Sequence, residues 1–109
     1  MDKQVKQFHI MTVGNSLINN FKHERNQSDI NEVSLYDYLI AKEKMACAET
    51  NSFISFLKQY NVDSQICTIY LIGTDSEDNK MILNLLIRYF KEIIKVNEVL
   101  KGKTIPPMT

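Results

Sequence analysis

A chain of 109 residues has room for one small domain whose core is large enough to stand without a metal or disulfide staple. Its 13 Lys and Arg balance 13 Asp and Glu, so the formal net charge is zero, and no basic field favours long duplex nucleic acid through counterion release. Cys47 and Cys67 lie far apart with no CxxC spacing and no Cys/His cluster, which argues against a zinc site and for two reduced, partly buried thiols in a cytoplasmic protein.

The apolar run near the N-terminus is short and interrupted at His9, unlike a signal peptide or a membrane span. Residues 8–13, Phe-His-Ile-Met-Thr-Val, are β-favouring, stop at Gly14 and predict a buried strand. Leu17, Ile18 and Phe21 follow at helical spacing, and the polar stretch from Lys22 to Glu32 predicts a surface loop.

From Val33 the spacing becomes helical again, with Leu35, Tyr38 and Leu39 on one face and a break near Lys44. Beyond it, Met45, Ala48, Ser52 and Phe56 fall in line, so two helices or one bent helix fit equally. Residues 61–65 form a polar turn, and the β-branched run 66–74 predicts a second buried strand, again ending in glycine and small polar residues.

Asp75, Ser76, Glu77 and Asp78 are capping and acidic types suited to a helix start, and Ile82, Leu85, Leu86, Tyr89, Phe90 and Ile93 continue at helical spacing. Residues 94–100 fit either an extension of that helix or a third strand. The ending from Gly102 to Thr109, with Pro106 and Pro107, reads as a flexible tail.

Strand, small-residue turn and helix thus occur twice, the grammar of an α/β fold with a parallel sheet flanked by helices, whose ligands bind at the carboxyl ends of the strands. Three segments are candidates for that site. "TVGNSL" offers Thr12, Gly14, Asn15 and Ser16, where glycine permits close backbone approach and the amide and hydroxyl can meet a phosphate or ribose. "GTDS" offers Thr74, Asp75 and Ser76 at the end of the other strand. Each has a plainer reading as a helix cap. "CAETNS" puts Glu49, Asn51 and Ser52 in an amphipathic helix, where Thr50, Asn51 and Ser52 are poor helix formers in succession, Glu49 reads equally well as a solvated residue and Ser52 as a small packing residue.

His9, in a strand, and His23, in a charged loop, lack the spaced partners of a metal site or a nucleophile and base pair. The chain also has no P-loop, no GxGxxG and no HExxH, which argues against ATP hydrolysis, dinucleotide redox chemistry and zinc proteolysis.

Taken together, the three segments resemble one family. "TVGNSL" is similar to the "TVGTSL" signature that opens CARF domains, the Rossmann-like modules associated with CRISPR; "CAETNSF" is similar to their "SAEINSL" helix; and "IYLIGTDSEDNKMILNLLIRYF" resembles their strand, "TDTxEG" turn and following helix. Order and approximate spacing agree over residues 8–100. Asn15 stands in place of the usual threonine, and Asn79 where glycine is common.

The resemblance implies a Rossmann-like domain over residues 1–101 that corresponds to the N-terminal half of the family. It implies binding of cyclic oligoadenylate, a cyclic tetra- or hexa-adenylate, by a homodimeric sensor in type III CRISPR antiviral defence, with no cofactor, metal or membrane. By position, Gly14, Asn15 and Ser16 would line the phosphates and Thr74, Asp75 and Ser76 the second loop. Some relatives are metal-independent ring nucleases that position a ribose 2′-hydroxyl for in-line attack; here Ser16 would orient the scissile phosphate. A third reading is an interaction module that dimerises or docks a partner through the apolar face around Leu86, Phe90 and Ile93.

Overall fold

The computed structural model describes residues 5–102. Strand β1 (Gln7–Thr12) leads into helix α1 (Ser16–Arg25), followed by α2 (Glu32–Lys42), a 3₁₀ turn at Glu43–Met45 and α3 (Ala48–Gln59). A second 3₁₀ turn at Ser64–Ile66 opens β2 (Cys67–Ile72), and α4 (Glu77–Tyr89) then continues through a π-helical turn at Phe90–Ile94 before β3 (Glu98–Lys101).

The strands form one parallel sheet in the order β1-β2-β3, with Gln7 opposite Cys67 and Ile69 opposite Val99. Because strand order follows chain order, both crossovers advance across the sheet in the same direction, and crossovers of the usual hand then put their helices on one side. The burial agrees: Cys67, Ile69, Leu71 and Val99 are buried on one face, together with Leu35, Leu39, Phe53, Ile82, Leu86 and Phe90 from the helices. On the other face Phe8, Ile10 and Leu100 are 60%, 67% and 37% exposed.

The structure is therefore an α/β fold with a three-stranded parallel sheet, compatible with a Rossmann-like architecture, and its helices cover one face. Residues 8–13 form the expected strand but not the expected buried one: β1 is an edge strand whose side chains alternate between half-covered and exposed. β2 is central and buried on the helical face alone.

The helical regions sharpen the sequence reading. α1 runs on through Lys22–Arg25, where a loop is expected, because its last turn has tertiary partners: Glu24 accepts a hydrogen bond from the Tyr38 hydroxyl and pairs with Lys42 at 2.9 Å, and Arg25 sits over the Tyr38 ring at 5.6 Å. Asn26, in the left-handed region, ends the helix.

Residues 32–59 make two helices with the break where it is expected, but the buried stripe of α3 is not Met45, Ala48, Ser52 and Phe56. Met45, Ala48 and Ser52 are exposed, and Thr50, Phe53 and Ile54 face the core with Ala46 and Cys47 just before them. Residues 98–101 form the third strand, the π-helical turn having ended at Lys95 in the left-handed region. Gly102 is not part of a loose tail: it is buried, and its N–H donates to the Leu71 carbonyl at 2.7 Å. Residues 103–109 of the expected tail lie outside the described residues.

The apolar face around Leu86, Phe90 and Ile93 is mostly core. Leu86 and Phe90 are fully buried, and only Ile93 is exposed, so that face is not available for docking.

Candidate functional site

The carboxyl ends of β1 and β2 lie side by side, since Thr12 is opposite Ile72 and the Val13 N–H donates to the Ile72 carbonyl at 2.8 Å. The two predicted corners, Gly14–Ser16 and Thr74–Ser76, therefore open at the same end of the sheet. Asn79, in the first turn of α4 and only 2% exposed, ties them together. Its Nδ2 donates to the Val13 carbonyl at 2.9 Å and the Gly14 carbonyl at 3.5 Å, while its Oδ1 accepts from the Thr74 N–H at 2.7 Å. A buried carboxamide uses both of its chemical ends here, as a polar group out of water must.

Gly73 makes room for that arrangement. A Cβ there would overlap the Asn79 side chain and stand 2.6 Å from Leu83 Cδ1. Gly14 is different, because a Cβ added to it would meet nothing within 4 Å and its φ is not positive. Neither packing nor backbone conformation within the chain calls for glycine at position 14.

At the first corner the hydrogen bonds run between two helix starts. Glu49, in the first turn of α3 and 6% exposed, accepts from the Gly14 N–H at 3.1 Å and from the Ser16 hydroxyl at 3.3 Å. Ser16 Oγ in turn accepts from the Ala48 N–H at 3.0 Å. Each helix thus caps a backbone N–H at the other's beginning, and the carboxylate lies against an α1 N-terminus whose dipole favours negative charge. Glu49 is not the solvated residue it resembles in sequence. Asn15 occupies the N-cap position of α1 but makes no side-chain cap bond, so the plain capping reading does not describe it.

At the second corner that reading does hold for Ser76, whose Oγ accepts from the Asn79 N–H at 3.2 Å and lies 3.3 Å from the Thr74 hydroxyl. Thr74 and Ser76 are half-buried and Asp75 is exposed. Glu77 and Asp78 follow in the first turn of α4, so this side of the opening is acidic.

The "CAETNS" segment straddles the site. A depression of about 290 Å³ between Glu49, Ala48 and Ser52 on one side and Ile10, Met11 and Thr12 on the other adjoins the first corner. A second, of about 420 Å³, takes in Asn51 with Lys44, Met45 and Asn20. Asn51 therefore lines a neighbouring depression rather than the corner itself. Ser52 borders both and is exposed rather than packed. The poor helix formers are explained by position: α3 begins at Ala48, so Thr50 lies in its first turn and bonds back to Cys47, accepting its N–H at 3.3 Å and donating to its carbonyl at 3.1 Å.

The thiols and histidines add no chemistry to this opening. Burial pushes the Cys47 thiol up to about 11 and raises that of Cys67, so both stay protonated at neutral pH. His9 packs edge-on against Phe53 and Phe56, its Nε2 is buried without a hydrogen-bond partner, and burial holds its pKa below the ordinary histidine value. Among the described residues, no group of three His, Cys, Asp or Glu is placed to hold a metal ion, and no helix is long and apolar enough to cross a membrane.

The sequence names Gly14, Ser16 and Glu49, which the structure joins in one hydrogen-bonded corner, Thr12, which lines the adjoining depression, and Thr74–Ser76, which lie at the neighbouring strand end. It does not single out Asn79 as the residue that joins them; the one signal is a polar side chain three residues after a capping serine, within an otherwise apolar periodic stretch. No protein-family model matches the chain, and no curated protein matches it in sequence.

Proposed function

We propose that this chain is a CARF-type module that binds cyclic oligoadenylate as a homodimer, in the cytoplasm of a type III CRISPR defence system. The observation that carries the reading is the junction of the two strand-end corners: the Asn79 carboxamide holds the Gly14 and Thr74 backbones together at the carboxyl end of a parallel sheet, where ligands of such sheets bind. Gly14 supports it, because nothing among the described residues requires glycine there, whereas close approach of a ligand to the backbone does.

In this reading the ring's phosphates meet the Asn15 carboxamide and the Thr74 hydroxyl, and its ribose hydroxyls meet the Asp75 carboxylate. Glu49 holds Gly14 and Ser16 in position behind them. Binding is preferred to cleavage on one observation: the Ser16 hydroxyl is engaged at both ends, donating to Glu49 and accepting from Ala48, and so is not free to orient a scissile phosphate.

Calorimetric titration with cyclic tetra-adenylate and cyclic hexa-adenylate tests the reading, with linear oligoadenylate as control and product analysis after long incubation. The expected result is heat with one ring per two chains and an intact ring. Linear products would move the assignment to a ring nuclease, and no heat with either ring would overturn the ligand.

A further inference from the structure

Helix α3 meets β1 and the corner that follows it at two places. Near its start, Glu49 accepts from the Gly14 N–H at 3.1 Å and the Ser16 hydroxyl at 3.3 Å, and the Ala48 N–H donates to Ser16 Oγ at 3.0 Å. Further along, the His9 ring packs edge-on against Phe53 and Phe56, at centroid distances of 5.2 and 4.8 Å. Phe53 and Phe56 lie one and two turns beyond Glu49, so the carboxylate and both rings share one side of the helix.

His9 Nε2 is buried with no hydrogen-bond partner. A neutral ring tolerates that position, because it can carry its proton on Nδ1 and leave Nε2 as a bare acceptor. A second proton puts a charged N–H donor at Nε2, against hydrocarbon and with nothing to receive it. The neighbouring elements offer little compensation. On β2, Ile69 is opposite His9, and the titratable residue on that face is Cys67, whose thiol stays protonated. On α3 the charged residues are Glu49, already engaged with Gly14 and Ser16, and Lys58, which is exposed. Tyr60 stacks on Phe56 and is also exposed. On β1 itself, Gln7 and Met11 share the His9 face, and neither is charged. Burial accordingly holds the His9 pKa below its ordinary value of 6.5.

We infer that His9 is an acid-sensitive latch on the strand-end corner: a ring that takes a proton from solvent favours the form in which α3 has moved off β1 and Glu49 has released Gly14 and Ser16. In that open form the ring meets water and binds its proton at the ordinary value, whereas the closed form binds it only at lower pH. The corner is therefore held closed above about pH 6.5 and opens increasingly as the pH falls below it. A single proton sets the limit of the effect. At about pH 5.5, one unit below the ordinary value, it multiplies the open population by at most about tenfold. His9 acts on the corner through α3 and is a positioning residue, and the latch works in the same way whatever ligand the corner takes.

Amide hydrogen exchange followed by NMR between about pH 7.5 and pH 5.5, with each rate divided by its intrinsic value, tests the latch. The Gly14 and Ala48 amides, which bond across the corner, should lose protection on acidification, by up to about tenfold. This acid-enhanced exchange should respond only weakly to low concentrations of urea, the mark of a local opening that exposes little surface. His9→Phe keeps an aromatic ring without the proton and should remove the pH dependence, while His23→Gln, at the exposed second histidine, should leave it in place.

Titration of the His9 ring protons in the wild-type chain gives a second readout that needs no variant, and a value below 6.5 is expected. A value at or above 6.5, as aromatic faces holding a cation would give, overturns the latch. So does protection at Gly14 and Ala48 that stays constant across the range, or a pH dependence that survives in His9→Phe. A steep urea dependence of the acid-enhanced exchange overturns it as well, since the whole fold would then be opening and not the corner.

Discussion

Ser16 and Glu49 cap each other's helices. The serine hydroxyl, at the first position of α1, takes the Ala48 N–H of α3, and the glutamate, in the first turn of α3, takes the Gly14 N–H and the serine hydroxyl itself. Local caps act within one helix; this pair couples two helices that are otherwise joined through α2. Ser16→Ala is expected to cost about 1 kcal/mol, the usual worth of a lost cap, and Glu49→Ala about 1–3 kcal/mol, because it leaves a backbone donor without its acceptor. The double variant should cost less than the sum by about 0.5–1.5 kcal/mol, the sign of residues sharing one network. Urea unfolding of the four proteins checks this, and strict additivity would mean that the two caps act separately.

The two glycines at the strand ends should respond oppositely to alanine. Gly73→Ala drives a methyl into Asn79 and Leu83 and is expected to destabilise by about 1–3 kcal/mol, as overpacking does. Gly14→Ala meets open space and should leave stability within about 0.5 kcal/mol of wild type, while it weakens ligand binding by obstructing approach to the backbone. Thermal unfolding and calorimetric titration of both variants separate the roles. Full affinity in Gly14→Ala would remove the backbone from the ligand contact.

Asn79→Asp keeps the acceptor for the Thr74 N–H and loses the donors to the Val13 and Gly14 carbonyls. It should cost about 1–3 kcal/mol, while Asn79→Leu loses both sides. Hydrogen exchange gives the sharper readout. The Thr74 amide should lose protection in Asn79→Leu more than in Asn79→Asp, with the Gly102 amide, bonded to Leu71, as an unaffected reference.

His9 gives the fold an acid limit. Burial holds its folded-state pKa below 6.5, the value it regains on unfolding, so the unfolded chain takes up the proton more readily. Stability is then whole above about pH 6.5 and declines as the pH falls below it, ceasing to decline once the folded-state value is passed. Unfolding measured from about pH 7.5 down to about pH 5 should show this slope, and His9→Leu should flatten the part that His9 contributes. An unchanged slope in that variant would assign the acid sensitivity to other groups.

The sequence made the alternation of strands and helices legible, because "TVG" and "IGT" end β-branched runs and a capping serine opens α4. It also exposed most of the walls of the site. What it hid were relations across the fold. Lys22–Arg25 look like loop because their partners, Tyr38 and Lys42, are in another helix. Glu49 looks solvated because the groups that bury it, Gly14 and Ser16, are more than thirty residues away. The buried stripe of α3 is displaced by a residue from the one that periodicity suggests, since Thr50 is buried by its bond to Cys47 and not by being apolar. The bare face of β1 is invisible for a simpler reason: Phe8 and Ile10 are the residue types of a covered strand.

The pairing of Gln7 with Cys67 has a consequence in time. β2, α4 and β3 are contiguous in the chain and close a short loop, whereas β1 must find β2 across three intervening helices, and the entropy of closing so long a loop delays such contacts. The chain is therefore expected to assemble from β2, α4 and β3, with β1 docking last. Both corners of the candidate site depend on that step, since Asn79 reaches Val13 and Gly14 only once β1 is in place. A chain whose β1 has not docked lacks the junction between the two corners, which forms together with the completed sheet.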